Sequence, residues 1–110
     1  MTLFQRIIAR EIPADIVYED EHVVAFRDIG PQAPVHILVV PRKPIARLDL
    51  AHEADAELLG RCLLTVSKVA KQEGLTSFRT VINTGSDAGQ SVFHLHLHLL
   101  GGRAMGWPPG

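Results

Sequence analysis

The chain is short of several things a protein of 110 residues can carry, and each shortage removes a class of function. It has one cysteine, Cys62, so no internal disulfide can staple it; a reducing, cytoplasmic setting is expected, with Cys62 a packing residue. Aromatic residues make up only 5% and net charge is −1. No basic stripe interrupts the mixed charges, which argues against capture of nucleic acid or an anionic lipid surface. No apolar run is long enough to cross a membrane, and no N-terminal apolar stretch with a cleavage site is evident. Repeats, low-complexity tracts and linkers are also missing. What remains is 46% apolar and 21% charged, the balance of one globular domain spanning residues 1–110.

Against this plain background, half of the histidines fall within five residues, in Ser91-Val92-Phe93-His94-Leu95-His96-Leu97-His98-Leu99-Leu100. On an extended strand side chains two apart share a face, so His94, His96 and His98 line one side and Leu95, Leu97 and Leu99 the other. The leucine face is core. The imidazole face can accept or donate a proton, or attack an electrophile, near neutral pH. A metal is the competing use. Zinc ligands must converge at about 2.0–2.1 Å, whereas the outer histidines of a regular strand stand about 13 Å apart at roughly 3.3 Å per residue. Only a neighbouring pair with a third ligand such as His36 could hold an ion, so no metal and no cofactor are expected.

The segment before the histidines, Asn83-Thr84-Gly85-Ser86-Asp87-Ala88-Gly89-Gln90-Ser91, is a tight loop. Alone it would be an ordinary hairpin turn. Next to three imidazoles, a loop whose glycines let backbone N–H groups approach an anion is a candidate phosphate cradle.

His94 through Leu100 resembles, at every position, the His-x-His-x-His motif with two following apolar residues that defines the histidine triad nucleotide hydrolases and transferases. The likeness extends to Leu3-Phe4, Glu11-Ile12-Pro13, Ala25 through Ile29, Pro31 through His36, Leu100 through Arg103, and Trp107 through Gly110. It is closest to the Hint branch, the purine nucleoside phosphoramidases. The dinucleoside polyphosphate hydrolase branch tends to carry Gln where Asn83 stands and Pro-Arg in place of Gly101-Gly102-Arg103.

That resemblance implies a homodimer with sheets joined across the interface, Asp28 accepting the ribose hydroxyls, His36 standing behind the triad, and Trp107 reaching the partner's active site. It also implies the purine and the P–N bond. Asp28 alone also reads as a turn residue, His36 as a hydrogen-bonded core histidine and Trp107 as local packing. Phe4, Ile7, Ile12, Ile29 and Leu38 are core by default and candidates to cover a purine ring.

Displacement at phosphorus needs an aligned nucleophile, donors for the phosphate oxygens and a proton for the leaving group. His96 is placed to attack and form a nucleotidyl-histidine. His98 and Asn83, with the Gly89 and Ser91 backbone N–H groups, would hold phosphate oxygens. The Ser91 hydroxyl would pass a proton to a departing amine, and the His94 carbonyl would orient His96. The expected activity is hydrolysis of AMP–amine phosphoramidates, with acyl-adenylates as related substrates. Alternatives are a nucleotide-binding or protein-interaction module with weak hydrolysis, a dinucleoside polyphosphate hydrolase, and a zinc protein.

The punctuation of the chain predicts an α+β fold. A short helix from Leu3 ends by Ile12. Strands are expected at Ile16–Tyr18, His22–Arg27, His36–Val40, Phe78–Asn83 and Phe93–Leu100, forming one antiparallel sheet. A long helix between Glu53 and Gln72 carries an apolar stripe of Leu58, Leu59, Cys62, Leu63, Val66, Val69 and Ala70, packs on one face of the sheet, and stops at Gly74.

Overall fold

A computed structural model describes residues 1–110. It shows a five-stranded antiparallel sheet in the order β1-β2-β3-β5-β4, with β1 (Ile16–Glu19), β2 (Val23–Arg27), β3 (Val35–Pro41), β4 (Phe78–Val81) and β5 (Leu97–Gly101). Helix α1 (Leu3–Ile8) precedes the sheet, and α2 (Ala56–Gln72) joins β3 to β4. No helix is long and apolar enough to cross a membrane.

The two helices cover opposite faces, which is why β3 is buried along almost its whole length. On one face Ile37, Val39, Leu97 and Leu99 pack with Cys62, Val66, Val69 and Ala70 of α2. On the other, Leu38, Val40, Val24 and Phe26 pack with Phe4 and Ile7 of α1. Alternation along β5 therefore sends Leu97 and Leu99 toward α2 and His98 toward the α1 side. Leu97 and Leu99 are fully buried, each contributing about 1.5–3 kcal/mol by leaving water. A one-residue slip would forfeit that gain and drive an imidazole into the α2 core, so the register is locked.

Local signals set the helix ends. The Thr2 hydroxyl accepts the Gln5 N–H at 3.2 Å, and the Gln5 side chain accepts the Thr2 N–H at 2.7 Å, a reciprocal cap that opens α1. Helix α1 stops at Ile8, four residues before Ile12, because Arg10 turns into the left-handed region at φ 62° while Arg10 and Glu11 donate back to Ile7 and Arg6. Helix α2 ends as expected at Gly74, whose φ is 75°. The Gly74 and Leu75 amides donate to the Lys71 and Ala70 carbonyls, the paired closure that a glycine permits without strain.

Two expectations need correction. Leu63 is exposed, and the buried stripe of α2 includes Thr65 instead. Leu63 stands roughly 100° round the helix from Cys62, on the flank of the packed face. The last strand begins at Leu97, not Phe93. In β3 the odd-numbered residues direct their backbone groups toward β5, since His36 bonds back to Asp28 beyond the end of β2. Pro41, opposite Leu95 in that register, has no N–H to give. The ladder stops there, and the Leu95 amide donates to Ile45 instead, at 2.6 Å.

Candidate active site

Three strand features bring the site together. His98 on β5 lies opposite Leu38 of β3 and Val81 of β4. His36 on β3 places its Nε2 2.9 Å from Nδ1 of His98. Asp28, just past β2, has Oδ2 3.4 Å from the same His36 nitrogen, while its Oδ1 accepts the Gly30 N–H at 2.8 Å. Asp28 is thus a turn residue through one oxygen and faces the histidines with the other.

Each imidazole has a partner that fixes where its proton sits. The Gln32 backbone N–H donates to Nδ1 of His36 at 3.0 Å, so the neutral ring carries its proton on Nε2 and donates it to Nδ1 of His98. His98 in turn is protonated on Nε2, a buried nitrogen with no partner in the protein. A buried donor without an acceptor is costly and marks a place for a ligand oxygen. Nδ1 of His96 donates to the His94 carbonyl at 2.8 Å, leaving the lone pair on Nε2. His94 donates from Nε2 to the Pro41 carbonyl at 2.7 Å, and this ring is buried against the Phe4 side. The row therefore presents one nitrogen with a lone pair, on His96, beside one with a proton, on His98, with ring centroids 5.0 Å apart.

Burial sets the charge state. Desolvation pushes His36, His94 and His96 below the usual imidazole range. His98 is pushed down to about 4, first by desolvation, then by repulsion from His96 and His36, with Asp28 opposing. All four rings are neutral at pH 7. Phe4 meets His96 edge-on at a 4.9 Å centroid separation, so α1 helps hold the ring.

His96 and His98 open into a cleft of about 380 Å³ that also takes in Asp28, Ser91 and the apolar side chains of Phe4, Ile7, Ile12, Ile29 and Leu38; Ile29 is no core residue but fully exposed, because it stands in the turn after β2. Leu3, Pro13, Ala14, Phe26 and Val92 line it too, residues for which the sequence carries no site signal. The lining thus combines two imidazoles, a hydroxyl and a carboxylate with a largely apolar wall.

The glycine loop leads into Ser91 of the cleft lining. Gly89 is left-handed at φ 100°, and a Cβ there would meet the Asn83 amide at 3.5 Å, so Asn83 and Gly89 are neighbours. The expectation of a free Gly89 amide needs correction: it donates to the Ser86 carbonyl at 3.0 Å, closing a single 3₁₀ turn, whereas the Ser91 amide donates to no backbone carbonyl. Gln90 was not foreseen. Its buried side chain accepts the Gly85 N–H at 2.9 Å and donates to Ala46 and Val92 at 2.8 and 3.1 Å, pinning the loop to the segment after β3. Trp107 lies outside the cleft, 83% exposed, with the Arg79 guanidinium 6.0 Å from its ring.

Asp28, His36 and His98 offer ligand atoms within 4.8 Å of one another, the one cluster close enough for a metal ion. The hydrogen-bond pattern does not fit one. A neutral His36 binding metal through Nε2 would carry its proton on Nδ1, against the Gln32 N–H that already points there.

A family model of the HIT domain matches residues 9–105. An Arabidopsis thaliana protein named adenylylsulfatase HINT1 is 54% identical over 112 residues, covering 99% of this chain and 76% of its own. A Brassica juncea protein named a 14 kDa zinc-binding protein is 55% identical and covered to 99% on both sides. Among solved structures, a HIT family hydrolase from Legionella pneumophila superposes with a TM-score of 0.98 at 50% identity, with both chains fully covered. The histidine row, its fixed tautomers and the match over nearly the whole chain lead to one conclusion: this protein belongs to the HIT domain family.

Proposed function

We propose that the protein is a nucleotide hydrolase of the Hint type that cleaves purine nucleoside phosphoramidates, releasing AMP through a nucleotidyl-histidine. The observation that carries this reading is the pairing of a lone pair on Nε2 of His96 with a proton on Nε2 of His98 in a cleft that also holds a carboxylate and is otherwise lined largely by apolar side chains. The purine lies among Ile7, Ile12, Ile29 and Leu38, the ribose hydroxyls donate to Asp28, and a phosphate oxygen takes the unpartnered His98 proton.

The reaction runs in two displacements. The bond from His96 Nε2 to phosphorus forms as the P–N bond breaks; the amine nitrogen keeps the bonding pair and takes a proton relayed from solvent through the Ser91 hydroxyl. Water then attacks phosphorus, loses a proton to solvent by the same route, and the P–N bond to His96 breaks with its pair returning to the ring. The donors are neutral groups and the chain needs no metal. The name of the Arabidopsis relative, an adenylylsulfatase, supports an adenylyl group joined to a leaving group other than a second nucleotide.

The protein is further proposed to act as a homodimer. β4 is an edge strand and Phe78 on it is exposed, so its unpaired backbone groups and apolar side chain suit pairing with a second copy. In that assembly Trp107 would approach the partner's cleft. A cytoplasmic setting suits Cys62, whose thiol is buried and pushed up to about 11, a form that resists oxidation.

The test is rapid alkaline denaturing quench of the protein with an adenosine phosphoramidate, since the histidine P–N bond survives base and not acid, followed by peptide mass analysis at neutral or basic pH. One adenylyl group is expected on His96, absent in His96→Ala. Hydrolysis of a diadenosine polyphosphate in preference to the phosphoramidate would transfer the assignment to the dinucleoside branch; binding of AMP without turnover of either would leave a binding module.

A further inference from the structure

One proton on His36 stands between two acceptors. Its Nε2–H lies 2.9 Å from Nδ1 of His98 and 3.4 Å from Oδ2 of Asp28, and the Gln32 N–H blocks the proton from moving to Nδ1. Asp28 Oδ1 is already engaged with Gly30, so Oδ2 is the oxygen left to compete for the His36 proton. His36 is buried and touches the cleft only through these neighbours.

Resting on the functional reading above, we propose that His36 is a positioning residue that transmits ribose occupancy at Asp28 to the phosphate-holding nitrogen of His98. When two ribose hydroxyls donate to Asp28, its lone pairs are occupied and its pull on the His36 proton weakens. The His36 N–H, its proton retained, then donates its hydrogen bond wholly to Nδ1 of His98, which obliges His98 to keep its own proton on Nε2, facing phosphate. Without the hydroxyls Asp28 competes from 3.4 Å for the proton that His36 directs to His98 at 2.9 Å, so the Nε2–H form of His98 prevails but is held less firmly. The fraction of His98 in the opposite tautomer carries a lone pair where the phosphate oxygen must sit, and there electrostatic repulsion replaces a hydrogen bond. The ribose hydroxyls thus act on the chemical step and not only on binding, although they lie away from the reacting phosphorus.

Two measurements test this on the intact protein. The first compares an adenosine phosphoramidate with its 2′,3′-dideoxy analogue. In the wild type the analogue should lower kcat about tenfold as well as raise KM; in His36→Leu the kcat ratio should fall to about one while the KM difference remains, because Asp28 is still present. His36→Gln, whose amide reaches about as far from the backbone as Nε2, should restore part of the kcat ratio. The second uses ¹⁵N-histidine NMR at saturating AMP or 2′,3′-dideoxy-AMP and needs no turnover. AMP should drive His98 fully to the Nε2–H tautomer and the dideoxy nucleotide should not; in Asp28→Asn, a substitution of equal size, the two spectra should coincide. An equal kcat ratio in wild type and His36→Leu, or identical wild-type His98 spectra with the two nucleotides, overturns the proposal. Distinct spectra without phosphoramidate turnover would uphold the coupling while removing the proposed reaction.

Discussion

Nδ1 of His96 lies 2.8 Å from the carbonyl oxygen of His94, so the first histidine of the row orients the second through its backbone, while its ring points away to the Pro41 carbonyl. Two residues of one motif therefore do unlike things. The His94 ring closes the corner where the sheet ladder is interrupted, and the His96 ring faces the cleft.

Substitution at His94 should consequently be a stability lesion. His94→Ala removes a fully buried ring and leaves the Pro41 carbonyl unpaired, which costs about 2–4 kcal/mol. Turnover per folded molecule should stay within about tenfold of wild type, since the carbonyl that holds His96 survives. Urea unfolding alongside active-site titration checks this. A stable variant with turnover lost by several orders of magnitude would place the His94 ring in the chemistry.

The depressed imidazole pKa values set the pH response of both activity and stability. Burial holds His96 below the ordinary value of 6.5 despite the opposing His94 carbonyl, so the acid limb of kcat/KM should be displaced to lower pH than that of an ordinary imidazole. For stability, the unfolded chain takes up its histidine protons near 6.5, whereas His98 in the folded protein does so only near 4. Stability is therefore full above 6.5 and declines as pH falls from there toward 4. Thermal melts across that range should show it, and a melting temperature that rises on acidification would contradict the burial of the row.

Gln90→Glu should loosen the glycine loop. The carboxylate can still accept the Gly85 N–H but has nothing to donate to Ala46 and Val92, a loss of about 2–3 kcal/mol. Because Ser91 follows directly, KM for the phosphoramidate should rise by at least about fivefold in parallel with the fall in urea midpoint. Unchanged KM in a destabilised variant would separate the loop from phosphate binding.

Chelator should leave turnover unaltered, and excess zinc should inhibit by seizing the histidines. The Gln32 amide behind His36 is the physical reason, since it opposes the tautomer that metal binding would need. Activity abolished by chelator and recovered with one equivalent of zinc would reverse this assignment.

Much of this molecule is written in period. Alternating His and Leu from His94 to Leu99 already separates a chemical face from a core face, because successive side chains on an extended chain point opposite ways whatever surrounds them. The strands, the long helix and its stop at Gly74 follow from equally local rules, as does the likeness to the HIT family. Contacts between distant segments decided the rest. Pro41, more than fifty residues before the histidines, ends the ladder at Leu97, and flank position on α2 exposes Leu63. Above all, tertiary structure decided which nitrogen of His98 carries the proton. The His94 carbonyl, two residues from His96, orients that ring from within the motif; the Gln32 amide and the His36 ring, brought up by the neighbouring strand and the turn before it, make His98 the donor beside it.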